Sequence, residues 1–530
     1  MNRLSCLLCV LLCGLFGGCQ TGGWGGGGDA GGANPFLHSQ DVGKPSTVGA
    51  GSTTYDAKTH ALTLKGGGAN VWTTSDNMQF AWKKMSGDIS FATDIAFAPA
   101  TAGADVHRKV VVMIRQSLDT DSAYADATVH GNGMTALQWR EKQGDRTYQL
   151  QANVNMPKRL RIEKRGDYFS MSVGSSDADM QPAGGECKVP LSGEFYVGVG
   201  VCSHNVDRLE SATFSNIAIA PLAEGTTNFM VSTLQVYQDN NNRDRKAIWT
   251  EIHPASPSGQ ARMEAPNWTK DNRLLYNYNG RLYEVPAVLP GNDPTNVKVE
   301  PKPVDLNILT RLNNDHVLSF DGTMLVVSDQ SQGNRQSTGW TIPLKGGTPT
   351  KVTQNTPAYM HGWSPDGKTL VFAASRTVAG SPANWDIYAV PSNGGPEVRL
   401  TTAPAREDGP EYSPDGQYIY FNSARSGMMQ IWRMRPDGTE QEQVTNDTYN
   451  NWFPHISPNG RKMVYIAFDK NTAPEDHDGI KDVELHLMDL NTKAVTTIVK
   501  LYGGQGTINV PSWSPDSNYF AFMSYQLIKK

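Results

Sequence analysis

MHGWSPDGKTLVF, running from Met360 to Phe372, reads as a short strand ending in Trp363, a turn, and a second apolar strand. Pro365 presets φ and Gly367 accepts positive φ, so Ser-Pro-Asp-Gly reverses the chain. The phrase returns as PEYSPDGQYIYF (Pro410 to Phe421), PHISPNGRKMVY (Pro454 to Tyr465) and PSWSPDSNYFAF (Pro511 to Phe522). Two more divergent copies precede it, PNWTKDNRLLY (Pro266 to Tyr276) and HVLSFDGTMLVV (His316 to Val327).

The turn-opening residues Thr269, Ser319, Ser364, Ser413, Ser457 and Ser514 stand 50, 45, 49, 44 and 57 positions apart. A period in the forties with strand patterning marks a β-propeller, in which each repeat is a blade of four strands. In the third repeat the inner strand ends at Trp363 and Thr369 to Ala373 returns. Asp386 to Pro391 forms the third strand, and Glu397 to Thr401 the outer one after a Ser-Asn-Gly-Gly-Pro turn. The last copy has room for only two strands before Lys530. Thr233 to Tyr237 and Arg245 to Glu251 supply the missing pair, so six blades are expected, closed by strands from both ends of residues 228–530. Such closure removes free sheet edges.

At 530 residues the chain exceeds one core. A net charge of -5 argues against nucleic acid as a partner. Residues 1–19 carry a basic start and an apolar run, Leu4 to Phe16, too short for a membrane span. This resembles a bacterial lipoprotein signal, which makes Cys19 the expected lipidation site and the lipid the only membrane contact. Residues 20–50, Gly-rich at their start, are expected to form a flexible tether. Without the signal, Cys19, Cys187 and Cys202 remain. The last two flank a turn at Ser192-Gly193, and either a disulfide or two buried thiols is consistent with that placing. The only Cys-x-x-Cys pair, Cys6 and Cys9, lies inside the signal, so neither redox nor thiolate-zinc chemistry is supported.

Residues 51–222 alternate apolar and polar without helical period, as in Ile89 to Phe97, Lys109 to Ile114 and Tyr168 to Val173. Many short strands at this spacing read as a jelly-roll-like β-sandwich. The order of phrases, from GANVW (Gly68 to Trp72) through VMIR (Val112 to Arg115) to ATFSNI (Ala212 to Ile217), resembles the concanavalin A-like, laminin-G-like modules of secreted glycan-related proteins. Trp72, Trp82, Trp139 and His130 are candidate sugar contacts, since aromatic faces stack on pyranose rings. The competing reading places such tryptophans in the core.

Counting back from the six turns locates the channel mouth of the ring. Three places back stand Pro266, His316, His361, Pro410, Pro454 and Pro511; five back stand Glu264, Asn314, Tyr359, Asp408, Trp452 and Asn509. One place back the residues are Trp268, Leu318, Trp363, Tyr412, Ile456 and Trp513, which read as core. His455, Asp315, Glu411 and Gln505 join from neighbouring positions, and Arg376 and Arg425 end second strands on the same side. Three readings stay open. The polar groups satisfy each other and stiffen the ring. Alternatively Arg376 or Arg425 grips an anionic ligand while Trp452 stacks on it. In the third, His316, His361, His455 and Gln505 hold a divalent metal, Mn or Ca, or one His acts as general base with Arg425 beside it.

With its repeated Ser-Pro-Asp-Gly phrase, Asn228 to Lys530 resembles the TolB-type propeller family. The resemblance implies a periplasmic or outer-membrane-facing protein-binding scaffold, and with the glycan-related sandwich beside it the expected function is non-catalytic binding of a glycan or an envelope protein. The oligogalacturonate lyases are similar in carrying several His and a Gln at a propeller mouth that binds manganese. That second likeness implies a metal-assisted lyase or hydrolase instead.

Overall fold

In the computed structural model the described residues are 33–529, save 45, 223–224, 226, 241, 255–261, 292–296, 333–334 and 379–380. The expected signal and Cys19 lie outside them. Residues 33–50 do not continue the tether: Phe36 is buried, and the polar strand His38–Val42 pairs with Met78–Met85 at a sheet edge. A short edge strand with charged side chains lacks the apolar signal of a central one.

Two sheets enclose the N-terminal core. One runs Gln181–Lys188, Tyr168–Gly174, Arg159–Arg165, Ile89–Phe97, Asn205–Pro221, Ala61–Gly68, Ser52–Asp56. The facing sheet runs His38–Val42, Met78–Met85, Phe195–Cys202, Lys109–Arg115, Tyr124–His130, Met134–Arg140, Tyr148–Asn155. Alternate residues such as Leu62, Phe91, Val112, Leu137, Ile162 and Phe214 fill the space between. Cys187 and Cys202 are free and buried, the first on Gln181–Lys188 and the second on Phe195–Cys202. Those strands belong to opposite sheets, so of the two readings left open by the sequence the structure has the two buried thiols and not the disulfide.

Beyond the N-terminal domain stand five four-stranded blades, beginning at Met263, Leu312, Tyr359, Glu407 and Asn450. The expected six four-stranded blades are thus corrected to five. Asn228–Gln238 pairs antiparallel along its whole length with Tyr519–Lys529 and, on its other side, with Arg245–Pro254. That three-stranded set lies between the fifth and first blades: Tyr237 and Phe522 pack with the fifth, Leu234 and Met523 with the first. It does not form a sheet of its own, because Tyr148–Asn155 pairs parallel with Arg245–Pro254 and joins it to the N-terminal sheet. The segment that should be its inner strand meets it in an isolated bridge, Trp513 opposite Phe520, and in further bonds, from Ala521 N to Ser512 O at 3.0 Å and from Met523 N to Thr507 O at 2.9 Å.

The repeated phrase is explained by one hydrogen-bond pattern. Ser364 Oγ donates to Asp366 Oδ1 at 2.7 Å and accepts from Thr369 N at 2.9 Å. The same hydroxyl-to-Asp/Asn bond recurs at Thr269, Ser319, Ser413, Ser457 and Ser514. Gly367 has φ 70°. Asn272 and Ser517 take its left-handed place in the copies that lack Gly. Behind two of the turns, an indole fastens one repeat to the one before it. Trp363 Nε1 donates to Val317 O at 3.1 Å, and Trp513 Nε1 to His455 O at 3.0 Å.

Candidate functional site: the propeller mouth

Each inner strand of the five blades breaks its register by a bulge a few residues before the turn. In the first, fourth and fifth blades the residue before the proline, Ala265, Gly409 or Phe453, has positive φ of 57°, 58° and 52°. A bulge re-aims its neighbours, so side chains along one strand serve different depths of the channel. Glu264, Asn314, Tyr359, Asp408 and Asn509, five places back from their turns, line the polar end. Residues one place back, including Trp268, Trp363, Tyr412 and Trp513, line an apolar cavity of about 390 Å³ at the turn end. The expectation that they are core is only half of their role.

The polar mouth consists of adjoining cavities of about 310 and 250 Å³, which share Asn313, Asn314, Gln330 and Gln505. At its centre His361 Nε2 lies 3.2 Å from Asp408 Oδ1 and 4.0 Å from Asp315 Oδ1. Burial pulls His361 down, but the two carboxylates outweigh it and hold the imidazole above its ordinary value. Burial would raise Asp408, yet the His361 hydrogen bond and Arg406 keep it well below the carboxylate range. Asp315 is pushed up by burial to about 6, with His361 opposing and Asp408 assisting. Arg406 pairs with Asp408 at 3.0 Å and lies between two indoles, 5.5 Å from Trp385 and 5.6 Å from Trp452.

The metal set does not assemble. Of His316, His361, His455 and Gln505, only His361 and Gln505 line the mouth. His316 is buried in its blade, where burial pushes it down to about 4 against the opposing effect of the Ala265 backbone. His455 is spent on Glu411 and on the carbonyl of Ile508, both at 2.6 Å. No cluster of three His, Cys, Asp or Glu among the described residues is placed to hold a metal. Counting positions along a strand fails here because the bulges turn His316 and His455 away from the opening.

Arg376 and Arg425 do not face the mouth either. Arg376 binds Glu397 at 3.1 Å, Pro357 O at 2.5 Å and Asn355 O at 3.2 Å. Arg425 binds Glu407, Ser423 and Gln441 and covers the Trp432 ring. Both guanidinium groups close the ends of strands. Trp452 is wholly buried, stacked on His477 at 4.3 Å, so it backs the site rather than meeting a ligand. Asn509 accepts from Gly506 N through Oδ1 at 2.5 Å, which leaves its Nδ2 without a partner among the described residues.

Sequence reasoning missed Arg406, Trp385, Asn313, Gln330 and His477. The last had a signal. The 57-residue gap before the final turn marks an insertion in the fifth blade, and it carries His477 to the mouth. On the N-terminal domain, Trp72 and His130 line a cavity, whereas Trp139 is core and Trp82 stacks on His38 at 4.5 Å.

Comparison with known proteins bears on the propeller. Residues 350–476 match the PD40 family, TolB beta propeller domain. The uncharacterised protein Atu1656 of Agrobacterium fabrum (strain C58) is 40% identical over 305 residues, covering 57% of this chain and 96% of the relative. The chain belongs to this TolB-type propeller family. A solved structure from Agrobacterium tumefaciens described as TolB shares 40% identity, covering 56% of this chain and 99% of that one, with a TM-score of 0.49. An oligogalacturonate lyase solved in complex with manganese shares 15% identity over 56% of this chain and 78% of that one, with a TM-score of 0.33. That distant likeness carries no assignment of manganese or lyase chemistry to this TolB-type chain.

Proposed function

We propose that this TolB-type protein is a non-catalytic binding protein of the bacterial envelope, tethered through a lipid on Cys19, that holds a glycan at the propeller mouth. The observation that carries the reading is the Arg406 guanidinium held between Trp385 and Trp452 beside a rim of amides from Asn313, Asn314, Gln330, Gln505 and Asn509. Amides pair with hydroxyls in either direction, and Trp385, the indole of the two that lines the mouth, takes the apolar face of a sugar ring. The acids and the imidazole at the centre are already engaged with one another, which suits holding better than proton transfer. An N-terminal domain of concanavalin A-like type favours glycan over other polar ligands. A protein partner is the second reading, favoured by the apolar cavity ringed by Trp268, Trp363, Tyr412 and Trp513 at the opposite end of the channel.

A glycan array probed with the full chain tests the first reading. Retention of at least one neutral or acidic glycan is expected, reduced tenfold or more in Arg406→Ala and Asn509→Ala. Absence of any retained glycan, with a protein captured instead and lost in Trp513→Ala, would favour the second. For the anchor, the mature protein should partition into detergent, and Cys19→Ser should abolish that partitioning.

A further inference from the structure

A second polar cavity, of about 180 Å³, opens where the N-terminal sheet meets the propeller's terminal hairpin. Its floor is the sheet residues Lys109, His130 and Gln138, its wall the Asn70–Trp72 loop, and its far rim Asn242 and Asp244 from the hairpin. Sequence reasoning singled out Trp72 and His130 here without assembling a site, and the mouth does not use them.

Several polar groups around this cavity are only partly partnered. Lys109 Nζ donates to Val71 O at 2.8 Å and to Gln138 Oε1 at 3.4 Å, two bonds where an ammonium has three to give. It lies 5.3 Å from the centre of the Trp72 ring, which holds its head at the cavity. Asn70 Nδ2 donates to His204 Nε2 at 3.0 Å, so the His204 proton is on Nδ1, toward Asp105 Oδ2 at 3.2 Å. Asn70 Oδ1 is then buried without a donor among the described residues. His130 is 4% exposed; its Nδ1 meets His107 Nδ1 at 3.2 Å, and its Nε2 has no partner among the described residues.

Unmet donors and acceptors thus border one small space, and each buried polar atom left so costs about 1–3 kcal/mol. Lys109 is pressed down to about 8 by burial, with the Asp126 and Asp76 carboxylates working against that shift, and Asp244 stands at the rim. A fixed anion would satisfy Lys109 but leave Asn70 Oδ1 bare, and a cation would do the reverse. A hydroxyl both donates and accepts. Several hydroxyls fixed on one ring match this mixture of groups better than independent waters, because a single ligand bears the cost of ordering them.

We infer that this cavity binds a single neutral sugar residue, held by its hydroxyls between the N-terminal sheet and the propeller hairpin. The site is separate from the mouth in every lining residue. Because Asn242 and Asp244 belong to the hairpin, the bound ring also fastens the two domains together.

Saturation-transfer NMR on the full chain tests it, with D-glucose, D-galactose, D-mannose and N-acetyl-D-glucosamine as neutral probes and D-glucuronate as the acidic one. At least one neutral sugar should receive saturation and raise the unfolding midpoint. Trp72→Ala and the rim variant Asn242→Ala should each weaken it fivefold or more. Asn242 is exposed, so its loss leaves folding intact even where Trp72→Ala does not. The mouth variant Arg406→Ala should leave this binding unchanged, which separates its failure from that of the mouth reading. Saturation confined to glucuronate, no saturation of any probe, or binding that Asn242→Ala leaves untouched would overturn the inference.

Discussion

Glu411 and His455 meet between the fourth and fifth blades, Oε2 to Nδ1 at 2.6 Å. The carbonyl of Ile508 only accepts, so His455 Nε2 donates to it at 2.6 Å. Glu411 Oε1 accepts from Ile456 N at 3.0 Å. These bonds stitch the fourth and fifth blades to the approach of the final repeat. Removing one partner of such a buried pair leaves the other unpaired, at a cost of about 3–5 kcal/mol. Glu411→Ala is expected to lose that much in urea unfolding. A loss below about 1 kcal/mol, the size of an exposed pair, would show the contact to be idle.

Asp315 gives a pH signature opposite to the usual acid. Its folded value is raised to about 6 by burial, so the folded protein holds this proton more tightly than the unfolded chain does. The stability from that proton is full below the unfolded value of about 3.9 and is lost as pH rises through 6. His361, raised above its ordinary value by its carboxylate neighbours, adds a loss in the same direction above about 6.5. Asp315→Asn should therefore gain on the parent between pH 4 and 6, by on the order of 3 kcal/mol at neutral pH. Melting curves across that range decide it, and parallel curves for the two proteins would refute it.

Arg376 and Arg425 should behave as structural groups. Arg376→Ala leaves the Glu397 carboxylate without its cation and frees the carbonyls of Pro357, Ser375 and Asn355. A stability loss of roughly 1–3 kcal/mol is expected, with glycan affinity within twofold of the parent. Calorimetric titration beside urea unfolding separates the two effects; a tenfold loss of affinity at full stability would return Arg376 to the binding site.

The thiols of Cys187 and Cys202 lie in separate packed regions. Burial raises both, Cys202 to about 11, so little thiolate is present at neutral pH. Dithiothreitol should leave the melting temperature unchanged. A drop of several degrees on reduction would instead reveal a crosslink.

The blades were legible because their turn is local chemistry: a hydroxyl, an Asp or Asn two places on, and a residue tolerant of positive φ suffice to write it into the sequence. The pairing of Asn228–Gln238 with Tyr519–Lys529 followed from counting strands. Its fusion with the N-terminal sheet did not, because only Leu150 and Gln151 face Arg245 and Lys246 there, and two pairs leave no periodicity. At the mouth, Glu264, Tyr359 and Asp408, five back, precede their bulges and line the opening, whereas Trp452 at the same place in the fifth blade is buried. His455 lies past a bulge of one extra residue, which reverses the side of the strand that faces the channel, and His316 past one of two, which displaces it along the strand. Arg406 left no mark in the repeat, since its value comes from Trp385 and Trp452, one on its own approach side and the other a blade away.

The link between Tyr148–Asn155 and Arg245–Pro254 also orders assembly. The ring cannot close until its last strand, Tyr519–Lys529, has been made, and its partner Asn228–Gln238 is synthesised nearly three hundred residues earlier. Pairings so distant in sequence form late. During that wait the early hairpin would present open edges to other chains. The finished N-terminal domain covers one of them, acting as an internal template that keeps the opposite edge in place for the returning strand.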